Sequence, residues 1–206
     1  MARPAAAVDR TELLAAARAA FNSRGFAATR MEDIAREVGL SKAALYLRFP
    51  SKEAVFEEVV RDLIAQSLPE AFASDFTQLT CTEMLRRFID FAFAKLTSPE
   101  MAFVPRVIIG EGANFPELAR FYHAEVVGRI LGQLELVIRH GVAQGEFACS
   151  RPDLACRTIA GGVIFAAIWR NVFEPVGAEV ADVADMAAAH AEIVLSGLLI
   201  RQGGTQ

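Results

Sequence analysis

Apolar positions along this chain recur at intervals of three and four residues, the period of helices that bury one side. In the first third the runs are short and closely punctuated. Leu13, Leu14, Ala17, Ala20 and Phe21 follow Asp9 and Glu12, which have capping-box spacing, and Gly25 stands where such a helix would end in a left-handed turn. This predicts a first helix from about Arg10 to Ser23. Thr29 and Glu32 repeat the box ahead of Met31, Ile34, Ala35 and Val38, a two-turn helix closed by Gly39. Ser41 caps a third helix that carries Leu45 and Phe49 on one face and stops at Pro50. Ser51 opens a fourth, where Val55, Phe56, Val59, Val60, Leu63 and Ile64 form a broad apolar stripe.

The segment from Met31 to Arg48 has the proportions of a helix-turn-helix: two short helices joined by a glycine-containing turn. Small Ala35 permits a close crossing, and Ile34, Val38, Leu40 and Leu45 would fix the angle. Lys42, Ala43, Ala44, Tyr46 and Arg48 are left pointing outward from the second short helix. Small residues allow close approach to base edges, Lys42 can reach a base or a phosphate, and Tyr46 offers a phenol to a phosphate.

Beyond Ser67 the pattern stays helical, with breaks at Pro69, Ser98-Pro99, Asn114 to Pro116, Gly145 to Pro152 and Pro175 to Gly177. They divide it into Thr80–Leu96, Met101–Gly112, Glu117–Ala143, Asp153–Phe173 and Glu179–Arg201, with no alternating run that would make a sheet. The expected class is therefore all-α, about nine helices. In the last helix Val183, Met186, His190, Ile193, Gly197 and Ile200 form a narrow seam suited to facing another helix. Gly161, Gly162, Ala166 and Ala167 allow close packing of the helix before it. Intramolecular core is the plainer reading of both features.

Composition narrows the class. At 53% apolar and 22% charged the chain has material for a core, and its longest stretch without charge, Thr158–Trp169, is 12 residues, where a spanning helix needs roughly 20. Met1 to Val8 lacks the apolar core of an export signal, so a cytoplasmic protein without membrane contact is expected. Cys81, Cys149 and Cys156 have no metal-ligand spacing and read as free thiols, a redox role for the Cys149 and Cys156 pair being the sharper alternative. Net charge is −4, but residues 1–53 carry nine Lys or Arg against six Asp or Glu, a basic head (+3) on an acidic body (−7). No phosphate loop, nucleophile elbow, zinc helix or paired-cysteine site is present, and His123, His140 and His190 are far apart, so no catalytic residue, metal or cofactor is expected. A helical carrier of hydrophobic small molecules is the rival that would share a cavity with a regulator.

The phrase AAFNSRGFAATRMEDIAREVGLSKAALYLRFPSKEAVFEEV closely resembles the N-terminal domain of the TetR family of bacterial regulators. Gly25, Phe26, Thr29, Ile34, Ala35, Val38, Gly39, Ser41, Leu45, Tyr46, Phe49, Lys52, Glu53 and Phe56 fall where that family places them, while Leu47 and Arg48 replace its usual histidine and tyrosine. The run PRVIIGEGANFPELARFYHAEV resembles an AefR-like C-terminal subtype. The resemblance implies a DNA-binding domain over 9–53, a connecting helix over 52–66 that acts as a lever, and a helical ligand-binding and dimerisation domain over 67–203. Thr29, Arg30, Tyr46 and Lys52 would bind phosphates, with Arg48 as a further contact. Lys42, Ala43 and Ala44 would face bases beside Ser41 at the helix start. The final two helices of two copies would pair through Gly162, Ala166, Val183, Met186, His190, Ile193 and Gly197. A homodimer would then bind a palindromic double-stranded operator as a repressor, released by a small effector.

The middle helices are rich in rings. Most are core by their spacing, but Phe88, Phe91, Phe103, Phe115, Tyr122, Phe165 and Trp169, with Arg106, are candidates for a ligand cavity, and Glu111, His123 and Asn171 are further polar anchors. Fifteen Phe against two Tyr point to a mainly apolar ligand.

Overall fold

A computed structural model describes residues 8–71, 79–101 and 103–200. The chain folds into helices α1 (Arg10–Ala28), α2 (Met31–Glu37), α3 (Lys42–Arg48), α4 (Lys52–Ala71), α5 (Cys81–Leu96), α6 (Phe103–Glu111), α7 (Pro116–Tyr122), α8 (Gly128–Ala143), α9 (Pro152–Ile168) and α10 (Val183–Leu198). A π turn over His123–Val127 makes α7 and α8 one continuous helix, as the apolar pattern predicts, and a second over Trp169–Phe173 extends α9. Counted that way there are nine helices among the described residues. The nearest thing to a strand there is one isolated bridge, Phe147 to Leu199.

Two compact units form. The first runs to residue 66 and takes in 103–123; the second comprises 67–102 and 124 onward. Helices α6 and α7 thus pack with the N-terminal helices in the first unit. The reason is aromatic: Phe103 lies edge-on to Phe56 at 6.2 Å and Phe115 to Phe26 at 4.9 Å, extending the mutual cluster of Phe21, Phe26 and Phe56. Each of these rings except Phe115 is fully buried.

In the second unit α5, α8, α9 and α10 enclose a separate core that includes Leu85, Ile89, Phe93, Ile138, Ile159, Ala191 and Leu195. α5 begins with a complete Thr80–Glu83 capping box. Its first turn is capped a second time from far along the chain. The Glu146 carboxylate accepts from the Cys81 and Thr82 backbone N–H groups, both at 3.1 Å, and from the Thr82 hydroxyl at 3.2 Å. Gly141 lets the next residue, Phe147, in: a Cβ there would stand 2.3 Å from its ring. Burial pushes the Cys81 thiol up to about 11 and raises that of Cys156, so both behave as buried apolar groups and not as reactive thiols.

The α9 helix with its extension, Pro152–Val176, has the length and hydropathy of a membrane crossing, and 22% of its most apolar window is buried. The expectation of no membrane segment, drawn from uninterrupted apolar length, therefore needs a physical account of this surface. Asp153, Arg157, Arg170 and Glu174 interrupt the stretch, and its exposed apolar residues are Leu154 and Phe165 on the helix and Val172, Phe173 and Val176 on the extension. With charge at four positions and a buried stripe of Cys156, Ile159, Val163, Ala166 and Ala167, it is an amphipathic packing helix with apolar surface left over.

Burial works against the Glu146 carboxylate, but the hydrogen bonds from Cys81 and Thr82 outweigh it and hold its pKa below the ordinary carboxylate value. Its contribution is complete above that ordinary value and disappears as pH falls through the depressed one. Glu146→Ala should cost about 1 kcal/mol at neutral pH, the usual cost of a lost helix cap. Urea unfolding should show this gap between wild type and variant closing as pH falls below the ordinary carboxylate value; a gap independent of pH would show that the charge is irrelevant.

Candidate nucleic-acid interface

The local reasons for the helix-turn-helix lie in its caps and in one break. The Ser41 hydroxyl accepts from Ala44 N–H at 3.1 Å and starts α3; the Ser51 hydroxyl does the same for Ala54 at 3.2 Å and starts α4. The predicted boxes at Asp9 and Thr29 do not form, since neither Asp9 nor Arg30, the residue that occupies the cap of α2, bonds through its side chain. Thr29 turns inward, fully buried, and donates to the carbonyls of Gly25 at 2.7 Å and Ala20 at 3.2 Å. Gly25 breaks α1 with φ +79° and ψ 174°, an extended left-sided conformation that only glycine adopts freely.

α2 buries Met31, Ile34 and Ala35, whereas α3 buries Leu45 alone. What α3 turns to solvent is Lys42, Ala43, Tyr46, Leu47 and Arg48, with Ala44 half-buried. Leu47 is 89% exposed, one helical turn beyond Ala43 on the same face. In the sequence it stands out only as a departure from a family pattern, and an apolar residue so exposed on this face is the signal that finds it. Lys42 pairs with Glu32 of α2, and its ammonium stands 5.7 Å from the Tyr46 ring. The hydrogen bond between the two raises the Lys42 pKa and lowers that of Glu32. Arg48 donates to the carbonyl of Val8 at 2.8 Å.

Two expected phosphate contacts, Thr29 and Lys52, have partners inside the head. The Thr29 hydroxyl is spent inside the head. Lys52, half-buried, donates to the carbonyls of Phe26 at 2.6 Å and Ala27 at 3.1 Å, with its ammonium 4.3 Å from the Phe26 ring. Desolvation lowers the Lys52 pKa, opposed by the nearby Glu53 and Glu111 carboxylates. Arg30 is exposed at the start of α2 and Ser41 at the start of α3, where both were expected.

The expected ligand residues divide between the units. Phe103, Arg106, Phe115 and Tyr122 belong to the first; Phe88, Phe91, Phe165 and Trp169 to the second. Arg106 is committed to the backbone carbonyl and side chain of Asn22, and Glu111 to the backbone of Phe26 and Ala27. Burial pushes the Tyr122 phenol up to about 12. Asn171 is tied to the Ala167 carbonyl at 2.8 Å and the Trp169 indole to that of Glu179 at 2.9 Å. Phe165 is 56% exposed, an outer-surface residue.

The expected pairing seam is also redrawn. The His190 ring lies on Gly162, where a Cβ would meet it at 2.3 Å, and its Nε2–H donates to the Ile159 carbonyl at 3.0 Å. Ala166 is buried, and Val183 and Met186 pack on the second unit's core. Of that seam Ile193 and Gly197 remain outward.

A trihelical head whose third helix shows a basic, aromatic and apolar face to solvent is the DNA-reading part of a helix-turn-helix regulator. Residues 13–59 match the family of bacterial regulatory proteins of the TetR type, and residues 83–195 match the C-terminal domain of AefR-like transcriptional repressors. The chain belongs to the TetR family: it is a DNA-binding transcriptional repressor and not an enzyme. It is 29% identical over 202 residues to the repressor KstR2 of Mycolicibacterium smegmatis, covering 94% of this chain and 92% of that one. Over 77 residues it is 39% identical to RutR of Escherichia coli, 36% of each chain. KstR2 of Mycobacterium tuberculosis shares the fold with a TM-score of 0.71 at 22% identity, covering 93% and 95% of the two chains. A protein from Saccharomonospora viridis solved in complex with choline does so with a TM-score of 0.76 at 22% identity, covering 93% and 98%.

On any DNA, Lys42→Ala should weaken binding and reduce the dependence of log affinity on log salt by about one unit. Glu32→Gln frees Lys42 and should tighten binding to unrelated duplex about threefold or more at low salt. Anisotropy titrations across a salt series check both; weaker binding by Glu32→Gln would show that the carboxylate organises the face and does not restrain it.

Proposed function

We propose that this protein is a cytoplasmic homodimer that represses transcription from a roughly palindromic operator and is released by a small, mainly apolar effector. The observation that carries this reading is the outer face of α3. Lys42, Ala43, Tyr46 and Leu47 stand there together, with Ala44 at its margin and Ser41 capping the helix next to them. On this reading Lys42 meets a base or phosphate, Ala43, Ala44 and Leu47 fit base edges and thymine methyls, and Tyr46, Arg30 and Arg48 hold phosphates. One such helix reads only a few base pairs, so specificity requires two copies on half-sites about one turn apart.

The unpaired surface of the second unit supports the dimer. α9 exposes Leu154 and Phe165, its extension Val172, Phe173 and Val176, and α10 exposes Ile193 at 72%. Gly161 and Gly197 lie among them with open space where a Cβ would be. Large apolar residues interleaved with glycines are the surface that two helices of a second copy would cover in a four-helix interface. An effector would act by favouring a conformation in which the two recognition helices no longer match the half-sites. The ring-rich middle helices favour an apolar effector, in keeping with the M. tuberculosis relative named as a ketosteroid regulator.

Selection from random duplexes should return a sequence with two-fold symmetry, bound with competitor-resistant affinity in anisotropy. Apolar compounds, sterols and fatty acyl species among them, should then weaken the complex, with choline as the polar comparison. Ile193→Asp should convert the dimer to a monomer in sedimentation and lower operator affinity by about 100-fold or more. Selection with no preferred sequence would favour the carrier reading, and a dimeric, fully binding Ile193→Asp protein would place the interface elsewhere.

A further inference from the structure

We propose that Glu111 is a positioning residue for DNA recognition: its carboxylate, projecting from the end of α6, fixes the peptide units of Phe26 and Ala27 from which the two reading helices depart. The inference rests on the operator-binding reading above.

The grip is made from both edges of the same short segment. Glu111 Oε1 accepts from Phe26 N–H at 2.8 Å and Oε2 from Ala27 N–H at 2.5 Å. From the opposite edge Lys52 takes the carbonyls of these two residues, and Thr29 takes that of Gly25. Hydrogen bonds to an ionised acceptor are shorter and about twice as strong as neutral ones, so a bidentate carboxylate sets orientation as well as distance. The approach depends on Gly25, where a Cβ would lie 2.9 Å from Glu111 Oε1. A second α6 residue, Arg106, holds the carbonyl of Asn22 on the other side of the Gly25 break. α6 thus grips α1 before and after its break, the last gripped residue, Ala27, standing four positions ahead of Met31, the first of α2.

α6 lies within the stretch that matches the repressor C-terminal domain, yet it packs in the unit that carries the reading helices. Its carboxylate is therefore placed to fix where α3 lies, and a shift of α6 would reach the DNA-reading face through Glu111. The apolar cluster of Phe21, Phe26, Phe56 and Phe103 holds the fold together without it. Losing the carboxylate should loosen orientation more than stability.

Half-site spacing reads orientation directly, because one added base pair rotates the half-sites by about 34°. The probes are the selected duplex and two copies with one base pair inserted or removed at its centre. Wild type should lose about 30-fold or more on the respaced duplexes. Glu111→Gln and Glu111→Ala should lose about tenfold on the native spacing, while their spacing penalty falls to about threefold and their melting temperatures stay near that of wild type. Variants that keep the full spacing penalty overturn the proposal, whether affinity is unchanged or falls equally on all three duplexes with a lowered melting temperature. A wild-type protein without any preferred duplex overturns the operator reading, and this inference with it.

Discussion

The head of this protein depends on how a short, non-helical piece of backbone is satisfied. Gly25 breaks α1 by taking a conformation closed to other residues at low cost, and this leaves the peptide groups of residues 25–27 outside the helical ladder. Buried backbone groups without partners would be expensive. Here Thr29 and Lys52 accept the task on the carbonyl side and Glu111 on the amide side, while the ring of Phe26 anchors the cluster beneath. The direction in which α2 and α3 leave the segment follows from that arrangement. Thr29, Lys52 and Glu111, which sequence logic assigns to DNA or ligand, have partners in this arrangement, while α3 turns Lys42, Ala43, Tyr46, Leu47 and Arg48 to solvent.

The second unit presents the complementary problem, apolar surface left over after its own core is complete. α5, α8, α9 and α10 bury Leu85, Ile89, Phe93, Ile138 and Leu195, yet α9 and α10 keep Leu154, Phe165, Val172 and Ile193 in water. Exposed apolar residues on two neighbouring sequence elements are costly in isolation, and a symmetric association would remove them from water. A dimer also supplies the second reading helix, so one physical requirement answers another.

The fold class was legible in the sequence because helical period, serine caps and glycine breaks are local. Ser41 and Ser51 cap as their positions predict, and the break between α2 and α3 falls at Gly39. The capping box at Thr29 was misread because its hydroxyl has better acceptors in Gly25 and Ala20, and only the tertiary turn brings them within reach. The bonds of Glu111 and Glu146 span 85 and 65 residues, and no local pattern announces them. The seam of α10 divides between the core and the surface. Its buried residues are Ala187, Ala191, Leu195 and Leu198, one position on from Met186, His190 and Gly197, and the helix is so apolar all round that the period marks a stripe without choosing its side. Phe88, Phe93 and Phe103 of the middle helices are buried as their spacing predicts, but chain order could not show that α6 and α7 belong with the head.

Hydroxyl-radical footprinting of the protein on a selected duplex tests the central claim most directly, because it maps the geometry of reading. The account predicts two protected patches on one face of the DNA, symmetric about the centre and about one helical turn apart, one for each α3 of a dimer. A single patch, or even protection without a centre of symmetry, would contradict it.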